Sequence, residues 1–459
     1  MDAPWPPPAD ATPARDGIDE RLSRMIQLPT ISVEIDATGL TVFSEFEELL
    51  EQLYPLIHQH LAKEKIGELG LVFDWAPAEP NDRPPVVLMA HFDVVPVAGQ
   101  ESEWEFPPFE GRIEHGEVFG RGALDDKGSS CTLLEAVENL LAEGWAPPVR
   151  VLLCLGGDEE DHGHAARQIA ETFRDRGVHP AFVIDEGGAI TEIPFPGVPG
   201  WFAMVGLAEK GVMTVELRVT AAGGHASAPA GLTAVGRIAK AVAKLNRNPF
   251  PPRTPRTVSE LFSAIAEHAE PRYAPAYRLI GRAGWISAAA LPWAGNEAAA
   301  LVRTTLAATM IEGGSSSNVL PSEASATLNI RTNIGESAAT VMARLRRVID
   351  DPQVVIRVVE SDEPTAEAAT DNTAWQLIRD AVHAGYPGVA TLPYLTMAAT
   401  DGRHWHRFVR DVYRFSPLPM DAAQRASIHG VNERVSIDAL KRGERFYRAL
   451  LQGLTGSNT

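Results

Sequence analysis

Val149-Arg150-Val151-Leu152-Leu153-Cys154-Leu155-Gly156-Gly157-Asp158-Glu159-Glu160 runs from an apolar stretch, broken only by Arg150 near its start, through two glycines into three consecutive acids. The apolar part reads as a buried strand and the glycines end it, so the acids stand at its exit. Adjacent carboxylates repel one another and resist burial. They are tolerated where solvent or a metal ion neutralises them. Taken alone, such a run is an ordinary solvated loop, and the rest of the chain decides between the two.

A second strand exit lies upstream. Pro85-Val86-Val87-Leu88-Met89-Ala90 is again apolar and β-prone, and it leads into His91-Phe92-Asp93. Residues two apart in an extended chain point the same way, which puts His91 and Asp93 on one face. A metal-binding histidine commonly gives its other ring proton to a carboxylate, and this pair suits that arrangement. A strand-end histidine with a capping aspartate would look the same. The segment Gly120-Arg121-Gly122-Ala123-Leu124-Asp125-Asp126-Lys127-Gly128 follows, ahead of a helical pattern over residues 131–141. Asp125 and Asp126 there fit either simple helix capping or a functional role. Val183-Ile184-Asp185-Glu186 is another apolar stretch ending in acids, and His429-Gly430-Val431-Asn432-Glu433 lies near the C-terminus.

In this order the segments HxD, GRGxxDDKG, DEE, DE and HGxNE resemble the motif set of the di-zinc aminoacylase/carboxypeptidase metallopeptidase family, from about residue 20 to the end. Residues 185–188, 303–309 and 400–405 look most like its carboxypeptidase S and N-acyl-amino-acid synthase/hydrolase branch. The resemblance implies an α/β fold. A zinc-peptidase-like catalytic domain with a central mixed sheet flanked by helices would carry an inserted, smaller α+β lid that makes a homodimer contact. The expected limits are a mobile proline-rich arm over 1–15, the catalytic domain over 16–210 and 361–459, and the lid over 211–360.

The same resemblance implies two zinc ions, with cobalt or manganese as possible substitutes. His91 and Asp185 would bind one ion, Glu160 and His429 the other, and Asp125 would bridge them beside a water or hydroxide. Zinc accepts such nitrogen and oxygen ligands where thiolates are absent. Two divalent ions against three carboxylates and a hydroxide leave the site near neutral. Glu159 would then be the general base, moving a proton from the water to the leaving amine. Asp93 would hold His91, and the Asp125-Asp126 peptide bond would be cis.

Within the middle of the chain, residues 211–220 and 324–331 alternate apolar and polar as half-buried strands do. Residues 232–245 and 338–349 read as helices and 353–359 as a further strand. By resemblance, His225 polarises the scissile carbonyl from the partner subunit, Asn318 adds a polar substrate contact, and Arg331 clamps a substrate carboxylate, with Arg403 as a weaker helper. A guanidinium fork suits that last task. Read separately, these are a turn histidine, a turn asparagine and an edge arginine. Residues 246–316 look like a longer lid insertion, either a groove for an acyl chain or ordinary packing. His162 and His164 depart from the family pattern and read as surface residues, with competition for metal or a part in substrate entry as the other readings; His404 and His406 are not expected as ligands.

At 459 residues the chain can bury two sizeable cores. Its formal charge of −19 disfavours nucleic acid and anionic membranes as partners. No run reaches the length of a membrane span, and the N-terminus has no basic start or apolar core of a secretory signal. Cys131 and Cys154 read as free core thiols, and with that N-terminus they point to the cytoplasm. The expected function is metal-dependent hydrolysis of the amide in N-acyl amino acids or short peptides with a free carboxylate. The rivals are a dipeptidase or carboxypeptidase indifferent to acyl chains, and a metal-stabilised binding protein without catalysis.

Overall fold

Nine strands form the main sheet of the computed structural model, which describes residues 15–97, 99–229 and 231–454. Of the proline-rich arm, all but Arg15 lies outside the described residues. In hydrogen-bonded order the sheet runs Ala62–Ile66, Gly70–Trp75, Val151–Gly156, Val86–His91, Phe182–Asp185, Val412–Arg414, Trp201–Glu209 and Ala390–Thr396. Ile190–Glu192 pairs off this path with Trp201–Glu209. The sheet is mixed: Val151–Gly156, Val86–His91, Phe182–Asp185 and Val412–Arg414 are parallel neighbours, while the outer hairpin is antiparallel.

The two strands read first from sequence are buried along their whole length. Their apolar runs are continuous because helices cover both faces. Val86, Leu88, Val151 and Leu153 pack on one side against helices that include Lys127–Ala142 and Ile437–Gln452. Val87, Met89, Leu152 and Cys154 pack on the other against His164–Asp175 and Trp405. Both cysteines are free and buried.

A separate antiparallel sheet has the order Thr305–Gly313, Glu323–Thr332, Gly211–Thr220, Val355–Asp362. Every second residue of Gly211–Thr220 is buried, and Met213, Val215, Leu217 and Val219 meet the helices Ala234–Arg247 and Ala338–Ile349. The strand at 211–220 and the helix at 338–349 have the limits read from sequence. The helical part of residues 246–316 behaves differently from the expectation of a larger lid. Arg256–His268 and Ala274–Arg282 place Val258, Leu261, Phe262 and Tyr277 against Phe202, Met204, Leu392 and Leu395 of the main sheet. Their apolar stripe matches the strands Trp201–Glu209 and Ala390–Thr396, which would otherwise lie bare.

The crossing between the sheets is a buried joint. Glu209 ends a main-sheet strand and Gly211 begins the next sheet. The Glu209 carboxylate accepts from Arg414 Nη2 at 2.7 Å and from the Thr400 amide at 2.6 Å. Lys210 Nζ donates to the carbonyls of Ala300 and Arg303 at 3.1 and 2.9 Å. Burial, with the Arg331 and Arg303 charges adding to it, lowers Lys210 to about 8.

Candidate active site

The parallel strands bring their carboxyl ends to one edge, where open α/β sheets place their ligands. His91 and Asp185 each close a strand, and Glu159 and Glu160 lie in a short helical turn just past Val151–Gly156. Asp125 comes from the glycine-rich loop ahead of Lys127–Ala142, and His429 from the loop after Ala422–Ser427.

Asp125 faces two histidines with its two oxygens. Oδ1 lies 3.0 Å from His91 Nε2, and Oδ2 lies 3.1 Å from His429 Nε2. His429 Nε2 is also 3.0 Å from Glu160 Oε1. Ligand atoms of Asp125, Glu160 and His429 all lie within 4.8 Å of one another. Asp185 is buried, and its Oδ2 accepts from the Gly402 amide. Its carboxylate makes no hydrogen bond to His91 among the described residues, though it lies close enough for their charges to interact.

Asp93 organises the cluster. Its Oδ1 accepts from His91 Nδ1 at 3.2 Å and from the Glu159 amide at 3.1 Å. Its Oδ2 accepts from Ser32 Oγ at 2.6 Å and from the Glu160 amide at 3.0 Å. One carboxylate thus orients the His91 ring and the backbone of both acids. Asp126 stands at the helix N-cap position without a capping bond, and instead accepts from the His91 amide at 3.1 Å. The Asp125-Asp126 bond is cis, as expected.

The electrostatics are those of an acidic cluster short of positive charge. Burial, reinforced by Asp401, Glu160 and Asp125, pushes Glu159 well above the ordinary glutamate range despite the opposing charge of His91. Burial also raises Asp185 and Glu186. Burial works against a charge on His91, yet the Asp125 and Asp93 carboxylates outweigh it and raise that histidine well above its usual value. Hydrogen bonds to Asp125 and Glu160 raise His429 to about 10. Imidazole nitrogens and carboxylate oxygens, with one carboxylate aimed both ways, form a donor set that fits divalent metal ions. A cation there would relieve the mutual repulsion.

The remaining expected site residues are spread out. His225 and Asn318 are exposed neighbours on a two-stranded tip, where the Ala226 amide bonds the Asn318 carbonyl at 3.0 Å. Their side chains bond locally, His225 Nδ1 with Ser227 Oγ at 2.8 Å and Asn318 Oδ1 with Ser316 Oγ at 2.6 Å. Neither makes a hydrogen bond to the acidic cluster. Arg331 is half-buried on Glu323–Thr332, within the fields of Glu209 and Glu360. The Arg403 guanidinium is engaged by the protein itself, donating to the carbonyls of Thr400 and His162 at 2.7 and 2.9 Å and pairing with Asp362 at 3.3 Å. His162 and His164 are exposed, as expected, and His162 Nδ1 reaches Glu360 at 2.9 Å. His404 and His406 are buried; burial, then the Arg414 charge, lowers His406 to about 3.

Two groups escaped the sequence reading as members of the site. Glu433 is wholly buried and takes Arg121 Nη1 at 2.7 Å and the amides of Gly122, Leu124 and Asp125 at 3.0, 2.7 and 3.1 Å. Its only sequence signal was that it closes the HGVNE motif. Asp401 lies against Gly163, where a Cβ would fall 2.0 Å from its Oδ1. Its charge acts on Glu159.

Residues 87–453 match the family described as Peptidase family M20/M25/M40. The chain is 33% identical to the probable carboxypeptidase S-like 2 of Dictyostelium discoideum over 89% of this chain and 79% of that one. It is 32% identical to the human N-fatty-acyl-amino acid synthase/hydrolase PM20D1, over 95% and 88% of the two chains. Among solved structures, the M20 family metallo-carboxypeptidase Sso-CP2 from Sulfolobus solfataricus superposes with a TM-score of 0.69 at 20% identity, over 95% of this chain and 99% of that one. The Bacillus subtilis YXEP protein, a dinuclear metal-binding peptidase of the M20 family, gives 0.58 at 13% identity, over 95% and 97%. Both share the fold.

Proposed function

The chain belongs to peptidase family M20/M25/M40, a metal-dependent peptidase and amidohydrolase family, and from that premise we propose that it cleaves the amide of N-acyl amino acids or short peptides bearing a free carboxylate, using two zinc ions. The observation that carries this reading is Asp125, whose two oxygens face His91 on one side and the His429–Glu160 pair on the other. His91 and Asp185 would hold one ion, Glu160 and His429 the other. Bound divalent ions supply Lewis acidity and an acidified water.

The chain's own residues do the rest. Glu159, held high by burial and like charges, takes the proton of the attacking water and returns it to the amine nitrogen as the amide C–N bond breaks. Asp93 fixes the Glu159 backbone and the His91 tautomer. Arg331 receives the substrate carboxylate, and His225 and Asn318 contact the substrate from a second copy of the chain. Their exposure, with side chains bonded only to near neighbours among the described residues, supports action in trans. The exposed apolar residues Met310 and Ile311 on the edge strand Thr305–Gly313 support a homodimer through that sheet, taken as the lid domain. Condensation of an acid with an amino acid would use the same groups in reverse. Among the described residues no helix is long and apolar enough to cross a membrane. Two buried free thiols support the cytoplasm as location.

The test is Glu159→Gln. Its kcat should fall by about 10²–10⁴-fold with metal content unchanged, measured by amine release and elemental analysis. Wild-type turnover in that variant would remove Glu159 from the mechanism.

A further inference from the structure

Gly284-Trp285-Ile286-Ser287-Ala288-Ala289-Ala290-Leu291-Pro292-Trp293 carries no charge and a single hydroxyl. The helix Gly284–Ala290 passes directly into the helical turn Leu291–Trp293, and Ala290 and Leu291 both have helical backbone, so the two form one run. Residues four apart share a helix face. Ser287 and Leu291 are buried, and Ser287 Oγ lies 3.0 Å from Thr254 Oγ1. Trp285, Ala289 and Trp293, also four apart, are exposed, the two tryptophans to 76% and 90%. The usual polarity of a surface helix is reversed, with its one hydroxyl inside and its largest apolar groups outside.

Single apolar side chains on a surface need no explanation. Two whole indoles on one face do, since each presents about 150–250 Å² of mostly apolar surface. Among the described residues these are the only exposed tryptophans. Leu279, on the preceding helix Ala274–Arg282, is also exposed.

The charge around the run indicates what covers it. From Pro271 to Asn296 the chain has three arginines and no acid, inside a protein of formal charge −19. Arg272 pairs with Glu270 at 2.9 Å. Arg278 and Arg282 are exposed and, among the described residues, have no ion-pair partner. Arg282 is three residues from Trp285, which keeps their Cα atoms within about 11 Å. A free guanidinium near exposed indoles suits a layer of phosphate oxygens above an apolar one, as at the surface of a phospholipid bilayer. A second copy of the chain fits less well. A two-fold contact sets a patch against itself and would bring the unpaired arginines of both copies together, with no acid in the segment to answer them.

We propose that residues 271–296 form a peripheral docking surface for a zwitterionic phospholipid bilayer, with Trp285 and Trp293 at the headgroup level and Arg278 and Arg282 on the phosphates. The charge of the whole chain repels a strongly anionic bilayer, whereas phosphatidylcholine offers phosphates without net charge. None of the residues in the acidic cluster belongs to this segment, so the surface stands or falls independently of the amidohydrolase reading.

The experiment sediments the full chain with sucrose-loaded phosphatidylcholine vesicles, as wild type, as Trp285→Ala/Trp293→Ala and as Arg278→Gln/Arg282→Gln. Wild type should pellet with the vesicles. Loss of both indoles should weaken partitioning at least about 100-fold, about tenfold for each. Loss of both arginines should weaken it by a smaller factor. Both variants should melt near the wild-type temperature, because only exposed side chains change. Brominated phosphatidylcholine should quench the tryptophan fluorescence of wild type, which decides the matter even where a variant fails to fold. Wild type left in the supernatant at millimolar lipid, or not quenched, overturns the surface. So does an indole variant that folds and pellets as wild type does. Self-association of wild type without vesicles that the indole variant loses makes the occupant a second copy and overturns the lipid reading.

Discussion

Glu433→Gln should unseat Asp125 without touching its side chain. The Glu433 carboxylate accepts four hydrogen bonds, from Arg121 and from the amides of Gly122, Leu124 and Asp125, at 2.7–3.1 Å. All four atoms facing it are donors, so it must act as an acceptor throughout. A glutamine keeps one accepting oxygen and turns an NH₂ group toward donors. Breaking a buried ion pair costs about 3–5 kcal/mol. At about 2 °C per kcal/mol, that lowers Tm by about 6–10 °C. Because the Asp125 amide is one of the four donors, metal affinity or kcat should also fall, by about 10–100-fold, as for other residues that orient ligands. The control is Glu135→Gln. Glu135 is equally buried and pairs with Arg15 and Arg21 at the start of the chain. It should cost comparable stability and leave metal content and kcat unchanged. Thermal melts, elemental analysis and amine release on both variants decide. If Glu433→Gln loses only stability, as Glu135→Gln does, then Glu433 is a strut and the reasoning about Asp125 is wrong.

Acid should destabilise the protein through His406. Its Nε2 donates to the Arg410 carbonyl at 2.9 Å, and Nδ1 faces Arg414, so a second proton has no place. With a folded pKa of about 3 against about 6.5 unfolded, its contribution is whole above pH 6.5 and fades as pH falls, by about 2 kcal/mol at pH 5. His406→Gln should flatten the Tm profile between pH 7 and 5 by that amount, and parallel profiles would refute the assignment. Lys210 acts at the alkaline end. Its folded pKa is about 8, so the unfolded chain holds more protons above that, and stability rises towards pH 10.5 by up to about 3 kcal/mol. Lys210→Met removes this rise, and a difference from wild type that stays constant between pH 7.5 and 10 would show that Lys210 is not strained.

The parts of the site that were legible in the sequence are those coded locally. An apolar run that stops at two glycines announces its own exit, so His91, Glu159, Glu160 and Asp185 could be placed at strand ends before any geometry was known. Period-two alternation exposed the second sheet in the same way. The family resemblance then supplied which exits belong together, a pairing that strand periodicity alone does not contain.

What stayed illegible is what depends on distant partners. Arg121 and Glu433 are 312 residues apart, and nothing near either one marks them as a pair. Asp93 was read as the partner of His91 alone, because its bonds to Ser32 and to the backbone of residues 159 and 160 require the folded loop. The helices after residue 255 follow lid segments in sequence, and adjacency alone does not say which sheet they cover. Only the match between their apolar stripe and Trp201–Glu209 sends them to the main one. The same displacement opens an apolar cavity, since its walls come from residues 187–204, 261–301 and 394–425. The strand exits can be read from the sequence, and the resting place of these helices only from the folded chain.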